Sequence, residues 1–370
     1  MMTPRITQLD IARVAGVHNT TVSLALRNSR LIPPATRQKI QAIAEELGYR
    51  PDPALRALAA YRNQRRPDRR ATTLAFITNW ETRWGWREHP WMERHYRGAQ
   101  RRAATSGCQL EHFWLWEEGM SQKRLSDMLL HRGISGVILA SQPLGGDFSG
   151  LDWTRLSGVK IGSGSSAPAL NAVAINHGGV MNLAMQRIAA AGHQRVGLVL
   201  SRAWDDAVAQ AWSKAFAAEQ SLLAAPDRIP LLRIESNRHG EGSRAAELGD
   251  QVACATWYRR HRPEVVLGLA PQVGDRLAGA GLAVPQEVAL VDLSLEREGD
   301  EVAGIRQSCE RVGELAVEML CAQLERNELD RPPVPALTTV AGEWIDGASL
   351  PIHGDPVHGR VTAMKTNLVA

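Results

Sequence analysis

Between Leu9 and Leu47 apolar residues recur at helical spacing, interrupted by two turns. Leu9, Ile11, Ala12, Val14 and Ala15 form a first stripe. Thr7 stands just before it, and Thr7-x-x-Asp10 has the spacing of a capping box, in which each side chain satisfies the other residue's free amide. Gly16 ends this helix, because glycine takes the left-handed backbone of a helix stop without penalty. Val22, Ala25 and Leu26 mark the inner face of a second short helix beginning near His18 or Asn19. Pro34 opens a third, whose stripe is Ile40, Ile43, Ala44 and Leu47 and whose stop is Gly48. Two short helices joined by a glycine turn predict a helix-turn-helix.

From Thr72 the pattern changes to short apolar strands alternating with helices, which predicts parallel sheets. Strands are expected at 73–78, 109–116, 136–140, 158–161, 196–200, 231–234, 265–269 and 288–291. Helices are expected at 91–106, 121–132, 178–191, 207–220, 244–260 and 310–326. Such units over about 270 residues exceed one comfortable core, so two lobes are expected. Between head and body, Pro51 and Pro53 precede the run Ala54–Ala60, which is too short to hold a helix unaided. Arg62–Arg70 reads as a charged linker. Pro351–Ala370 has no pattern and reads as a mobile tail.

Charge sharpens this division. Residues 1–70 carry thirteen Arg/Lys against five Asp/Glu, a net +8, which leaves −4 for the rest of a 370-residue chain of net charge +4. A basic head on a mildly acidic body is the footprint of a nucleic-acid binder with a separate second function. No apolar run is long enough to span a bilayer, and the N-terminus lacks the apolar core of a signal peptide, so a cytoplasmic protein is expected. Cys108, Cys254, Cys309 and Cys321 are widely spaced and signal neither a zinc site nor a disulfide framework. No phosphate loop, His-Glu-x-x-His or Gly-x-Ser-x-Gly is present, and no enzyme, metal or cofactor is expected.

The second helix turns Asn19, Thr20, Ser23 and Leu24 outward. These are small or polar groups that let a helix approach base edges. Asn can bond adenine with both amide atoms, Thr can bond a base edge, and Leu can touch a thymine methyl.

The strings Thr7-x-x-Asp-Ile-Ala, Ala15-Gly-Val, Thr21-Val-Ser, Thr36-Arg-x-x-Ile and Leu47-Gly-Tyr-x-Pro together resemble the DNA-binding head of the lac repressor family. The resemblance implies an all-α helix-turn-helix DNA-binding head plus an α/β two-lobed, periplasmic-binding-protein-like effector domain. It divides the chain into a head (1–50), a hinge helix and linker (51–71), an effector and dimerisation domain (72–350) and a tail (351–370). It implies Asn19, Thr20 and Leu24 as base readers. Thr7, His18, Thr21, Ser23, Thr36 and Tyr49 become DNA-backbone contacts, and Leu58 of the hinge a wedge between base steps. The implied partners are a pseudo-palindromic double-stranded operator, a second copy of the chain and a small-molecule effector, sugars among the candidates. Several positions depart from the family: His18 where Ser is usual, Leu24 where many members carry Arg, Pro33 in place of a Ser cap, and Asp52 in the hinge where Asn is frequent.

The body holds all eleven tryptophans of a chain that has only four Phe and four Tyr. Trp80, Trp84 and Trp86 follow the first strand, and Trp114 and Trp116 end the second. Ligands of open α/β sheets bind beyond the carboxyl ends of strands, so Trp80, Trp84 and Trp114 are effector candidates. Trp114 and Trp116 share a strand face, which is equally the pattern of a structural pair. The family's sugar-holding groups are partly replaced: Trp212 stands where an Arg is frequent, Ser294 where an Asp is, and Asn176 where an acid is. These three join the candidate set. Asp205 and Asp206 could supply the polar groups so lost, but solvation is the favoured reading, and His193 is read as structural. The leading reading is a repressor-type transcriptional regulator. The alternative is a DNA-binding dimer whose body no longer binds ligand and serves only dimerisation.

Overall fold

The computed structural model describes residues 6–26, 28, 29, 31–49, 72–140, 146–164, 167–235, 244–296 and 301–352. The hinge run with Leu58, the linker and residues 353–370 lie outside them.

The head is three helices, α1 (Gln8–Ala15), α2 (Asn19–Leu26) and α3 (Pro34–Glu46). Their core is Ile11, Ala12, Val22, Ala25, Ile32, Ile40 and Ala44. The predicted stripe of α1 is narrower in the structure: Leu9 and Val14 are exposed, and only Ile11 and Ala12 are buried. Two turns of helix against two short partners bury little more than one line of side chains. Gly16 takes φ 69°, as a helix stop requires. At Gly48 (φ 67°) the Tyr49 amide reaches back to Ala44 O at 2.8 Å, closing α3 as the Gly48 position predicts.

The body is two compact units, and the chain changes unit after Ile175, Ser308 and Val340. The first unit holds β1 (Thr72–Thr78), α4 (Pro90–Thr105), β2 (Cys108–Trp114), α5 (Gln122–His131), β3 (Gly136–Leu139), β4 (Ser157–Ile161) and β5 (Asn171–Ile175). The second holds α6 (His177–Ala190), β6 (Val196–Ser201), α7 (Arg202–Ala207), α8 (Ala211–Ser221), β7 (Leu232–Ile234), α9 (Arg244–His261), β8 (Val265–Gly268), α10 (Ala270–Gly279), β9 (Ala289–Asp292) and β10 (Ala303–Gln307). Then α11 (Cys309–Glu325) and β11 (Leu337–Val340) return to the first unit, and β12 (Gly342–Ile345) completes the second.

The first sheet runs β11-β5-β4-β3-β1-β2, all parallel; the second runs β12-β10-β9-β8-β6-β7, with β12 antiparallel to β10. Strands β3, β6, β8 and β9 are buried along their whole length, as helix-covered parallel strands must be, which is why they read as unbroken apolar runs.

Helices α4 and α11 run in parallel register. Arg94 pairs with Glu310 at 2.9 Å and Arg102 with Glu318 at 3.2 Å, with Arg101–Glu314 between them. Their backbones touch where Gly98 meets the Glu310 carbonyl and Gly313 meets that of His95. A Cβ at either glycine would lie within 2.0 Å of that oxygen.

The helix expected at 207–220 is broken. α7 and α8 are separated at Val208–Gln210, where Ala209 and Gln210 take φ 54° and 61°. Asp205, favoured as solvated, sits at the break. It is fully buried, accepts from the Ser213 amide at 3.1 Å and pairs with Arg233 at 2.9 Å. Asp206 is exposed, as expected. His193 is structural, with Nε2 2.8 Å from Pro351 O, so the chain at Pro351 is tied to the second unit.

Candidate DNA interface and effector-lobe residues

The head's site is built from its caps. The Asp10 carboxylate accepts from the Thr7 amide at 2.9 Å, the half of the box in which Asp10 reaches back, and also from the Thr7 hydroxyl at 2.7 Å. These bonds, the hydroxyl's first, hold the Asp10 carboxyl below its ordinary range. His18 caps α2: its Nδ1 accepts the Thr20 amide at 3.3 Å and also contacts the Thr20 hydroxyl, while its carbonyl takes the Thr21 amide at 2.9 Å. An imidazole thereby does what a Ser or Asn cap does elsewhere.

On α2, Thr20 is exposed, and Asn19, Thr21, Ser23 and Leu24 are half-buried. Asn19 Oδ1 has no hydrogen-bond partner among the described residues. Leu24 packs on the edge of the head core, so it is less free than an outward base reader was expected to be. Gln41 of α3 fixes the end of α2, donating to Ala25 O at 3.2 Å and Asn28 Oδ1 at 2.7 Å. Tyr49 is held by Gln8, whose Nε2 donates to its hydroxyl at 3.2 Å. Thr36, in the first turn of α3, is half-buried. Leu58 falls outside the described residues.

In the first body unit, Trp80, Trp84 and Trp114 gather at the carboxyl ends of β1 and β2. The Trp114 indole donates to Trp80 O at 2.8 Å, and the Trp116 indole to Asn79 O at 2.9 Å, so both pin the loop leaving β1. The Trp80 ring lies 4.2 Å from His89. Trp84 has the Arg87 guanidinium 4.5 Å and the His112 ring 4.9 Å from its centroid. His112 accepts or donates at Thr78 Oγ1 across 2.7 Å, and burial, then Arg83 and Arg87, push its pKa down to about 4. His89, Arg87 and His112 were missed in the sequence. Only His112 carried a signal, two residues before Trp114 on the same strand face.

In the second unit, Asn176 caps α6, its Oδ1 accepting the Gly179 amide at 2.9 Å. Trp212 is buried and meets His177 edge-on at 4.6 Å. Ser294 is buried beyond β9, its amide donating to Asp292 Oδ1 at 2.8 Å. Asn176 and Trp212 thus flank His177, and Ser294 is held in a tight turn of its own. Among the described residues no His/Cys/Asp/Glu group is placed to hold a metal ion, and no helix is long and apolar enough to cross a membrane.

The chain is a three-helix head with a helix-turn-helix, followed by two units built on mostly parallel sheets. Residues 7–52 match the model of the bacterial regulatory proteins of the lacI family, and residues 185–350 that of a periplasmic binding protein-like domain. The head thus matches the lacI family of bacterial regulatory proteins, and the stretch that makes up most of the second unit matches a periplasmic binding protein-like domain. The chain is 48% identical over 54 residues to the HTH-type transcriptional regulator GalS of Salmonella typhimurium. It is 46% identical over 54 residues to the probable HTH-type transcriptional repressor ExuR of Bacillus subtilis. Each match spans 15% of this chain and 16% of the relative. In fold, the chain is similar to a transcriptional regulator CelR–cellobiose complex (TM-score 0.56, 20% identity, 93% of this chain and 100% of that one). It is also similar to the lac repressor dimer bound to operator and the anti-inducer ONPF (TM-score 0.54, 16% identity, 94% and 100%).

Proposed function

We propose that this chain is a homodimeric, sequence-specific DNA-binding transcriptional regulator of the repressor type, acting in the cytoplasm on a pseudo-palindromic operator. The observation that carries the reading is the fixed presentation of α2. His18 caps its start, Gln41 ties its end, and Thr20 and Asn19 stand at the entry turn. A helix so held can place side chains on base edges in the major groove. Thr7, His18, Thr21, Ser23, Thr36 and Tyr49 position the head on phosphates, Leu24 touches an apolar base edge, and Leu58 wedges the operator centre. Selection of full-length protein on randomised duplexes tests this. An inverted repeat should be enriched; recovery of duplexes with no common half-site would contradict it.

The body is proposed to bind a small-molecule effector, a sugar by analogy with the cellobiose complex named above. Trp80, Trp84 and Trp114 would offer the aromatic side of that site, and Asn176, Trp212 and Ser294 its other groups. A second reading has an observation of its own. Asn176 is occupied as a cap, Trp212 is enclosed, and Trp84 already has Arg87 and His112 against it. A body so committed would serve dimerisation alone. All eleven Trp lie at or after residue 80, so their fluorescence reports the body without interference from the head. A saturable change with a sugar supports the first reading; silence across a broad metabolite panel supports the second.

A further inference from the structure

We propose that the ligand of the first unit's aromatic end is an acidic sugar, a ring-form sugar monocarboxylate, and that Arg87 is the residue that selects it. The inference rests on the effector reading above and adds the class of ligand. Arg87 lies in the one-turn helix Gly85–Glu88, where its amide donates to Trp84 O at 2.9 Å. Its guanidinium is stacked on two indoles, 4.5 Å from the Trp84 centroid and 5.2 Å from that of Trp86. Stacking occupies the flat face of a guanidinium and leaves free its N–H edge, the fork that matches a carboxylate. Among the described residues the Arg87 side chain makes no hydrogen bond and no ion pair. Arg83 differs: it also lies on Trp84, 5.7 Å from the centroid, but Glu117 neutralises it at 3.1 Å. His112, whose pKa is pushed down to about 4, is neutral at pH 7 and adds no charge. Arg87 is thus the one uncompensated charge among the described groups that touch the Trp84 ring. One charge suits a monocarboxylate, whereas a phosphate dianion would be left half neutralised.

The same rings carry groups suited to hydroxyls. The indole nitrogens of Trp80 and Trp86 and the Nδ1 of His112 are buried and have no hydrogen-bond partner among the described residues. The Trp86 ring is fully enclosed, its centroid 5.4 Å from that of His112 and 6.4 Å from that of Trp84. Buried polar groups left unpaired are costly, and a bound polyol supplies the partners they lack. Trp84 is 48% exposed and Arg87 is exposed, so a ligand arrives from their side. The negative face of an indole suits the C–H face of a pyranose. With the ring stacked there, its hydroxyls meet the indole N–H groups and His112, and its carboxylate meets the Arg87 fork. An unhydroxylated aromatic acid would fill the stack and the fork but leave the three nitrogens unpaired.

The test titrates the full-length protein, followed by Trp fluorescence, with matched pairs at one ionic strength: glucuronate and glucose, galacturonate and galactose, mannuronate and mannose. At least one acid should give a saturable change and bind more tightly than its neutral partner by roughly tenfold or more, the worth of one charge-assisted hydrogen bond. Arg87→Gln should remove that preference, and Arg87→Lys should restore only part of it, because an ammonium lacks the fork. Arg83→Gln should weaken the acid by less than about threefold, since an exposed ion pair contributes little. A neutral sugar that binds as tightly as its acid overturns the acidic-sugar inference and leaves the effector reading standing. Silence of all six sugars also overturns it, and the broader metabolite panel then decides the effector reading by itself. Equal losses in Arg83→Gln and Arg87→Gln would assign the preference to a general positive field and remove Arg87 from the role. The wild-type pairs decide the ligand class even where a variant folds poorly.

Discussion

The Nδ1 of His18 accepts the Thr20 amide at 3.3 Å, so the start of α2 is capped by an imidazole. A cap of this kind contributes about 1 kcal/mol. His18→Ala should therefore speed amide exchange at the start of α2 by roughly fivefold in the intact chain, whereas His18→Ser should keep the wild-type rate. Hydrogen exchange of the α2 peptides measures this directly. Equal protection in His18→Ala would show that the ring bond contributes nothing.

The touching backbones of α4 and α11 give a second prediction. A methyl group at Gly98 meets a main-chain carbonyl that cannot swing aside. Gly98→Ala should lower stability by about 1–3 kcal/mol, the usual range for overpacking. Gly249→Ala on α9, where nothing lies within 4 Å, should be neutral or stabilising by ~0.5–1 kcal/mol. Urea unfolding followed by Trp fluorescence compares the two, and similar midpoints would contradict the close-contact account.

His95 sets a pH dependence. Burial, then Arg94, pushes its pKa from 6.5 down to about 3, against the opposing pull of Glu310. The ring is neutral in the fold and binds a proton more readily when unfolded. Its contribution is fully present above pH 6.5 and is lost as pH falls from there toward 3. The loss approaches ~1.4 kcal/mol per pH unit for one such group. His177, pushed down to about 4 chiefly by burial, acts in the same direction. A His95→Leu variant should show a shallower fall of unfolding free energy between pH 6 and 4, by roughly one proton's slope. An unchanged slope would remove His95 from the account.

The Trp114–Trp80 bond makes a claim about the loop after β1. Trp114→Phe keeps the ring contact and deletes the donor, so the loop should lose about 1 kcal/mol of local stability. Exchange across residues 79–89 should rise roughly fivefold, the same conversion of about 1 kcal/mol. If an effector binds against these rings, its affinity should weaken in the same variant while DNA binding without effector stays as in wild type. A rigid loop in Trp114→Phe would assign the bond no role.

Much of this was legible in the chain. The Thr7/Asp10 box, Gly16 and Gly48 announce themselves because caps and stops depend on residues a few positions apart. The long apolar strands were visible because both their faces are buried. Asn171–Ile175 and Ala303–Gln307 were missed as strands: each is short and offers no alternation to read. The helix at Ala270 hides behind a Pro at its second position. Beside the break at Val208–Gln210, Asp205 meets Arg233, a long-range pairing that local pattern cannot encode. The same holds for the enclosure of Trp212, whose place in the effector set rested on position alone.

The central claim is that α2 reads bases, and Asn19 tests it most directly. In the free chain its Oδ1 has no partner among the described residues, so pairing with adenine sacrifices no internal bond. Fluorescence anisotropy of full-length Asn19→Ala is compared with wild type on the selected operator and on a random duplex at one salt concentration. Specific binding should weaken by about 1–3 kcal/mol, the worth of one bidentate base contact, while random-duplex binding stays within twofold, roughly 0.4 kcal/mol. Equal losses on both duplexes, or none on either, would contradict base reading by this helix.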